Sequence, residues 1–247
     1  MPRPLPRGTS HLMTRSVRGV AATAVLAARL AGAAIAGAIV ACGDGSTAPA
    51  SAPQFTAGIS PPWYGGPGNQ PASYEFGTST SVFHGGARSA AIRSVGTVPD
   101  GGFGPIGQAI WAKDYRGKRV RLTGWVRTQA VQGGASLWLR VDGSGGGLLL
   151  DNMDGRRVSG TSDWRQLQIV LDVPAAADGL VFGGLTVGGG QAWFDDFALD
   201  IVGPDVPTTT TYPLTPSGDA TRAEQMRAFY ATAPRAVRSR VRGPVAA

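Results

Sequence analysis

The sequence predicts an all-β protein whose strands form an antiparallel β-sandwich, followed by a Pro/Thr-rich tail with at most one short helix. Several segments alternate apolar and polar residues with a period of two, which is typical of half-buried strands. Glycine-rich turns separate these segments, and the 247 residues include 37 glycines and 18 prolines. Many short strands between such turns, without a convincing helix among them, favour a sandwich over other classes.

Three spans carry the alternation most regularly, and each predicts a strand with one apolar face. In residues 119–127 the apolar positions are Val120, Leu122 and Val126. Residues 137–142 and 166–173 follow the same pattern. The less regular strand segments are 72–76, 80–84, 89–94, 106–112, 147–151, 180–187 and 191–201.

The N-terminal 41 residues have the composition of an export signal. They hold five arginines and no acidic residue, and residues 19–41 are nearly all small and apolar. Ile39-Val40-Ala41 before Cys42 resembles the bacterial lipobox. The resemblance implies cleavage before Cys42 and acylation of its sulfur and its amino group by fatty acids such as palmitate. We expect a lipoprotein anchored in the bacterial cell envelope. A transmembrane helix with a chance cysteine is the alternative, and either Met1 or Met13 can be the start.

The remaining chain divides into three regions by composition. Residues 42–62 are rich in Ser, Ala, Pro and Gly and predict a flexible linker. The β-sandwich domain is expected over 63–203, and 204–247 form a low-complexity tail. Thr221 and Glu224 have capping-box spacing, which predicts a short helix over 221–232.

Charge and residue counts exclude several functions. The net charge of +7 arises outside residues 54–203, which hold twelve basic and twelve acidic residues, so no nucleic-acid partner is expected. The single cysteine excludes a disulfide framework. His84 is the one histidine after the signal, no Gly-x-Ser-x-Gly motif occurs, and we therefore expect no enzyme.

The central strands carry a resemblance to a known architecture. The run GFGPIGQAIWAKDYRGKRVRLTGWVRT and the later run QAWFDDFALDIV resemble the strands of galactose-binding-like jelly rolls. The resemblance extends over about residues 63–203 and implies a non-catalytic carbohydrate-binding module with a glycan ligand. An envelope protein that uses the same sandwich to bind another protein is the alternative.

The polar positions of two strands predict a ligand-binding face. Alternation places Arg121, Trp125 and Arg127 on one strand opposite its apolar face, and Trp138, Arg140 and Asp142 on the next. If these strands pair, the six residues share one sheet face, where indole rings stack on sugars and charged groups bind hydroxyls. Gln166 and Gln168 add amides, and Trp63-Tyr64 is either a further aromatic contact or a loop plug that closes one end of the sandwich. The alternative is ordinary surface packing of Arg on Trp, or burial of both tryptophans under a second sheet.

Asp195 and Asp196 are weak candidates for a structural calcium site. The pair resembles the acidic pair on the last strand of such modules, where one carboxylate often helps to hold calcium. Calcium requires six to eight oxygen ligands, and Glu75 is the one acidic residue near the start of the domain. No other cofactor is expected.

Overall fold

The computed structural model describes residues 54–66, 68–215 and 220–232. The predicted signal, Cys42, the first part of the linker and the end of the tail lie outside these residues. Within the described ranges, no helix is long and apolar enough to cross a membrane.

The described chain contains eleven strands, one α-helix and two short 3-10 helices, Pro71–Ser73 and Lys113–Tyr115. The strands are β1 (Thr56–Ala57), β2 (Trp63–Gly65), β3 (Tyr74–Ser79), β4 (Ser89–Ser94), β5 (Phe103–Trp111), β6 (Arg119–Gly143), β7 (Gly146–Asp151), β8 (Val158–Asp172), β9 (Ala177–Val187), β10 (Gln191–Val202) and β11 (Tyr212–Pro213). The α-helix is α1 (Ala220–Thr232).

All strand pairs are antiparallel, and the long strand β6 organises them into two layers. The first half of β6 pairs with β10 and β8, and β10 continues through β4 and β3 to β1. The second half of β6 pairs with β9 and β7, and β9 continues through β5 to β2. This curled sheet confirms the predicted antiparallel β-sandwich.

The core lies between the two layers and consists of the apolar positions that the alternation predicts. Val120, Leu122 and Val126 from the first half of β6 have no exposed surface, and neither do Leu137 and Leu139 from the second half. They pack in one cluster with residues of the other strands. Because the alternate side chains then face outward, the polar positions of β6 lie on the outer faces of both layers.

The prediction of separate strands over 119–127 and 137–142 is wrong, because β6 runs through both without a turn. Gly133-Gly134 indicated a turn, but the chain bends there and continues in the sheet. Gly134 has a φ of +103°, Ala130 has a φ of +52°, and the pairing with β8 shifts register between Thr128 and Ala135. A bulged bend of this kind carries one strand from one layer to the other.

The strand predicted over 80–84 is a loop between β3 and β4. The backbone N–H groups of His84 and Gly85 donate to Oδ2 of Asp195, at 2.8 and 3.1 Å. The N–H of Val82 donates to Oγ of Ser79 at 3.1 Å. These side-chain acceptors bind the donors that a strand partner would otherwise bind, and Asp195 ties the end of the loop to β10.

Part of the predicted tail packs on the sandwich. β11 pairs with β7, and the N–H of Thr209 donates to the carbonyl of Val170 at 2.7 Å. Helix α1 corresponds to the short helix predicted over 221–232. The packed chain therefore continues past residue 203.

Candidate functional site

The predicted site residues lie on two separate outer faces, so the expectation of one shared face has to be corrected. Trp125 belongs to the half of β6 in the first layer, and Trp138 belongs to the half in the second layer. The two halves pair with different strands and not with each other. Each tryptophan therefore has its own groove.

The groove on the first layer, here called the Trp125 groove, is polar and has its aromatic surface partly occupied. The His84 ring stacks on Trp125 with 3.8 Å between centroids and 15° between planes. Trp164 meets His84 edge-on at 5.7 Å. The cavity measures about 500 Å³ and is lined by Arg121, Thr123, Trp125, Gln166, Gln168, Asp196, Phe197, Ala198 and Asp200.

Charged neighbours also occupy the arginines that the sequence assigned to this face. Arg121 lies 3.9 Å from a carboxylate oxygen of Asp200, and Nε of Arg127 lies 3.7 Å from Asp163. Both arginines remain partly exposed. The first layer thus carries loose ion pairs around a tryptophan that a histidine covers, and Nε of Arg121 is buried without a hydrogen-bond partner among the described residues.

Asp195 and Asp196 have partners other than a cation. Asp195 is 5% exposed and accepts the N–H groups of His84, Gly85 and Asp196. Burial raises the pKa of Asp195, and these N–H donors partly offset that rise. Asp196 contacts Nδ1 of His84 at 2.8 Å. In residues 54–66, 68–215 and 220–232, no group of three or more His, Cys, Asp or Glu could hold a metal ion.

The outer face of the second layer has an aromatic row across four strands. In register, Trp138 of β6 faces Gly183 of β9, which faces Gly107 of β5, which faces Tyr64 of β2. Gly107 leaves room for both rings, whereas Gly183 allows β5 to approach closely, because a Cβ there would collide with the carbonyl group of Ile106. A Cβ on Gly107 would lie 2.8 Å from Cζ2 of Trp138 and 3.2 Å from the hydroxyl of Tyr64.

Trp138 lies across the neighbouring strands. Its Nε1–H donates to the carbonyl of Ile106 on β5 at 2.9 Å and to that of Gly184 on β9 at 3.1 Å. These bonds tie the edge of the indole to two neighbouring strands and hold the ring in place where it lines a groove. A fixed aromatic ring on small residues is a flat apolar platform.

We call the groove beside this platform the Trp138 groove. Its cavity measures about 460 Å³, within the usual range for ligand pockets. The floor is mainly apolar, and four polar or charged side chains belong to the lining. The lining residues are Gly101, Phe103, Pro105, Trp138, Arg140, Leu150, Asn152, Asp154, Arg157, Leu185 and Val187.

A buried ion pair holds the polar side of this groove in place. Asp151, 1% exposed, accepts two hydrogen bonds from Nη2 of Arg156, at 2.7 and 2.6 Å. Thr209 Oγ1 donates to the same carboxylate at 2.7 Å. The turn after Asp151 then presents Asn152 and Asp154, and Asp154 contacts Arg157 at 3.0 Å. Nε of Arg157 is buried without a hydrogen-bond partner among the described residues.

Asp142, predicted to lie on an open ligand face, is instead fully buried, because helix α1 covers it. Arg140 binds it with two hydrogen bonds of 2.7 and 2.8 Å. The hydroxyl of Tyr230 from α1 donates to Oδ2 of Asp142. Burial, and then the nearby Asp142 carboxylate, raises the pKa of Tyr230. Arg140 remains 39% exposed and lines the groove.

Sequence reasoning found Trp138 and Arg140 but missed most of the residues around them. Alternation identifies which side chains leave the core, but it does not show which distant segments meet outside it. Asn152, Asp154 and Arg157 lie on a turn, and Tyr230 lies on a helix in the tail. No local pattern in the sequence marks these residues as neighbours of Trp138.

Among curated proteins, one similar protein comes from Bacillus subtilis strain 168 and is described as the uncharacterized HTH-type transcriptional regulator YbfP. The two are 37% identical over 143 residues, which are 58% of this chain and 48% of that protein. The chain thus spans about half the length of the curated relative that it matches. No protein-family model matches the chain.

Several solved structures have a backbone fold similar to that of this chain. A family 22 carbohydrate-binding module from Clostridium thermocellum Xyn10B matches 62% of this chain and 95% of its own, at 14% identity and a TM-score of 0.41. The module TmCBM61, solved with β-1,4-galactotriose, matches 59% of this chain and 92% of its own, at 16% identity and a TM-score of 0.40. A cyclase from Fischerella sp. matches 69% of this chain and 93% of its own, at 12% identity and a TM-score of 0.45. At these scores the similarities do not assign a ligand.

Proposed function

We propose that this chain is a membrane-anchored, non-catalytic binding protein that binds a carbohydrate in the Trp138 groove. The observation that carries the proposal is the fixed indole of Trp138 beside an apolar floor with polar groups along its side. The apolar face of a sugar ring stacks on such an indole, and its hydroxyls bind the polar groups. Arg140, Asn152 and Arg157 supply donors, and Asp154 supplies acceptors.

The Trp125 groove supports this role less well. His84 already stacks on Trp125, so a sugar would have to displace a paired aromatic ring. The Trp138 platform needs no such rearrangement on its groove side. We therefore assign the glycan to the second layer.

The regulator described in Bacillus subtilis gives no reason to propose DNA binding here. Residues 54–203 hold equal numbers of basic and acidic side chains. A nucleic-acid interface requires clustered positive charge. The proposed partner is a glycan, and the proposed anchor is the acylated Cys42.

A glycan array tests the proposal on the full chain purified in detergent, with and without calcium. We expect a defined set of oligosaccharides to bind, and Arg157→Gln to weaken binding about tenfold, since a charged hydrogen bond of about 1.4 kcal/mol is lost. Arg165→Gln is the matched control, because Arg165 is an exposed arginine on β8 in the other layer. Calcium-dependent binding would support a calcium site at Asp195 and Asp196. Absence of binding to every glycan, or equal effects of the two variants, would contradict the proposal.

A further inference from the structure

Helix α1 is attached to the sandwich through a buried tyrosine. Among the side chains of α1 that the structure describes, Tyr230 is buried at 1% exposure and the others are exposed. A helix of 13 residues is marginal in water without packing. We therefore expect the contacts of Tyr230 to hold α1 on the sheet.

The sheet offers Tyr230 a slot that has the size of one ring. In register, Asp142 of β6 faces Gly179 of β9, which faces Trp111 of β5. The Tyr230 ring lies over Gly179, where any Cβ would collide with it. Ala109 and Val181 complete the floor, and Trp111 and Trp138 pack beside it. We call this space the Tyr230 slot.

The Tyr230 slot continues the platform of the Trp138 groove along the same face. Arg140 links the two, because it lines the groove and also binds Asp142 in the slot. Trp138 borders both. The slot combines flat aromatic and small apolar surface with a carboxylate that accepts a hydrogen bond from a hydroxyl group. These are the features that hold a sugar ring and one of its hydroxyl groups.

We propose that the Tyr230 slot is a second glycan subsite, filled by the chain's own tyrosine until a longer oligosaccharide displaces it. This inference rests on the proposed function of the Trp138 groove. A short oligosaccharide occupies the groove alone and leaves α1 in place. A longer one extends past Arg140 into the slot, where its ring replaces the Tyr230 ring and its hydroxyl replaces the Tyr230 hydroxyl on Asp142.

Two substitutions in the full chain separate release of α1 from occupation of the slot. Tyr230→Ala releases α1 and leaves the slot open. Gly179→Ala also expels the Tyr230 ring, but its methyl group lies where any ring in the slot would have to lie, and Gly179 has no positive φ that would strain an alanine. Gln225→Ala, on an exposed position of α1, is the control for changes to the helix.

Calorimetric titrations use oligosaccharides of increasing length from the series that binds the wild type. If α1 is undocked in about a tenth of the molecules, Tyr230→Ala tightens binding of the longer oligosaccharides about tenfold. Binding of the shortest ones stays unchanged. Gly179→Ala gives no gain at any length, and Gln225→Ala behaves like the wild type. In the wild type, the longer oligosaccharides speed hydrogen exchange of the α1 amides.

The outcomes separate the two proposals. If short oligosaccharides bind but Tyr230→Ala gives no gain for long ones, the slot is only a structural anchor and this inference is wrong, while the function of the groove stands. Equal gains in Tyr230→Ala and Gly179→Ala would also overturn it, because release of α1 alone would then explain them. If no oligosaccharide binds the wild type or Tyr230→Ala, the proposed function fails and the subsite fails with it.

Discussion

Asp142 is a charged residue without exposed surface, and its position depends on two partners from different parts of the chain. Arg140, two residues earlier on β6, binds both carboxylate oxygens. Tyr230 reaches it from α1 across 88 positions of sequence. The buried carboxylate thus has a partner within its own strand and a second one from the tail, as buried charges require.

Removal of this carboxylate should destabilise the fold. We expect Asp142→Ala to lower the free energy of unfolding by about 2 kcal/mol, less than the 3–5 kcal/mol typical of a fully buried pair, because Arg140 is 39% exposed. Urea unfolding measures the difference. Glu75→Ala removes a pair with Arg93 in which both side chains are more than 40% exposed, and should cost at most about 1 kcal/mol. Equal losses in the two variants would contradict the role of Asp142.

Tyr74 gives the protein a defined response to alkaline pH. Its hydroxyl donates to the carbonyls of Gly102 at 2.8 Å and of Gly188 at 3.0 Å, and burial raises its pKa to about 12. In the unfolded chain the pKa is about 10. Because the folded state favours the protonated form, this contribution to stability is complete below pH 10 and is lost as the pH rises from 10 to 12.

Urea unfolding between pH 8 and pH 12 checks this prediction. Tyr74→Phe should be less stable than the wild type at pH 8 by about 1 kcal/mol, the net value of a typical hydrogen bond. Other buried tyrosines remain in both proteins, so both should lose stability above pH 10. The wild type should lose it more steeply, because only the wild type has the Tyr74 hydroxyl. Parallel pH profiles for the two proteins would contradict the assignment.

Among the strands and helices, the main difference from the prediction is that β6 is one continuous strand and not two. Alternation located both halves of β6 and their apolar faces correctly. Gly133-Gly134 has the composition of a turn, and local sequence does not distinguish a turn from a bulged bend that continues the sheet. This one difference moved Trp125 and Trp138 from a shared face to opposite layers.

The bend in β6 should be sensitive to a side chain at Gly134. Its φ of +103° disfavours other residues, and a Cβ there would lie 2.6 Å from Cβ of Arg157. We expect Gly134→Ala to cost more than the 1–3 kcal/mol of backbone strain alone. Gly146→Ala is the control, since Gly146 has a φ of +121° and open space around it. Thermal unfolding that ranks Gly146→Ala as the more destabilised variant would contradict this account of the bend.

At the scale of the whole molecule, composition and periodicity sufficed for the fold class. The all-β architecture and the short helix in the tail follow from local patterns, and both are present. The complete site does not follow from them, because it depends on contacts among β6, the turn after β7 and α1. Such contacts arise from packing over long sequence separations, which a period of two residues does not encode.

The proposed anchor makes a prediction for the full chain in a bacterial host. Cys42→Ser should prevent acylation of this residue and the cleavage before it, because the serine lacks the sulfur that the lipobox chemistry requires. Metabolic labelling with a fatty-acid analogue measures acylation, and mass spectrometry of the purified chain measures cleavage. Cys42 is the single cysteine, so no other thiol can take the label. A variant that is still labelled and cleaved would contradict lipidation at this residue.

The measurement that tests the central claim most directly is calorimetric titration of the full chain with an oligosaccharide selected on the array. The wild type is compared with Trp138→Ala and Trp125→Ala, with folding checked by circular dichroism. If the glycan stacks on the second layer, Trp138→Ala weakens binding at least about tenfold, whereas Trp125→Ala changes it by less than about twofold. Loss of binding in Trp125→Ala with unchanged binding in Trp138→Ala would contradict the assignment to the second layer.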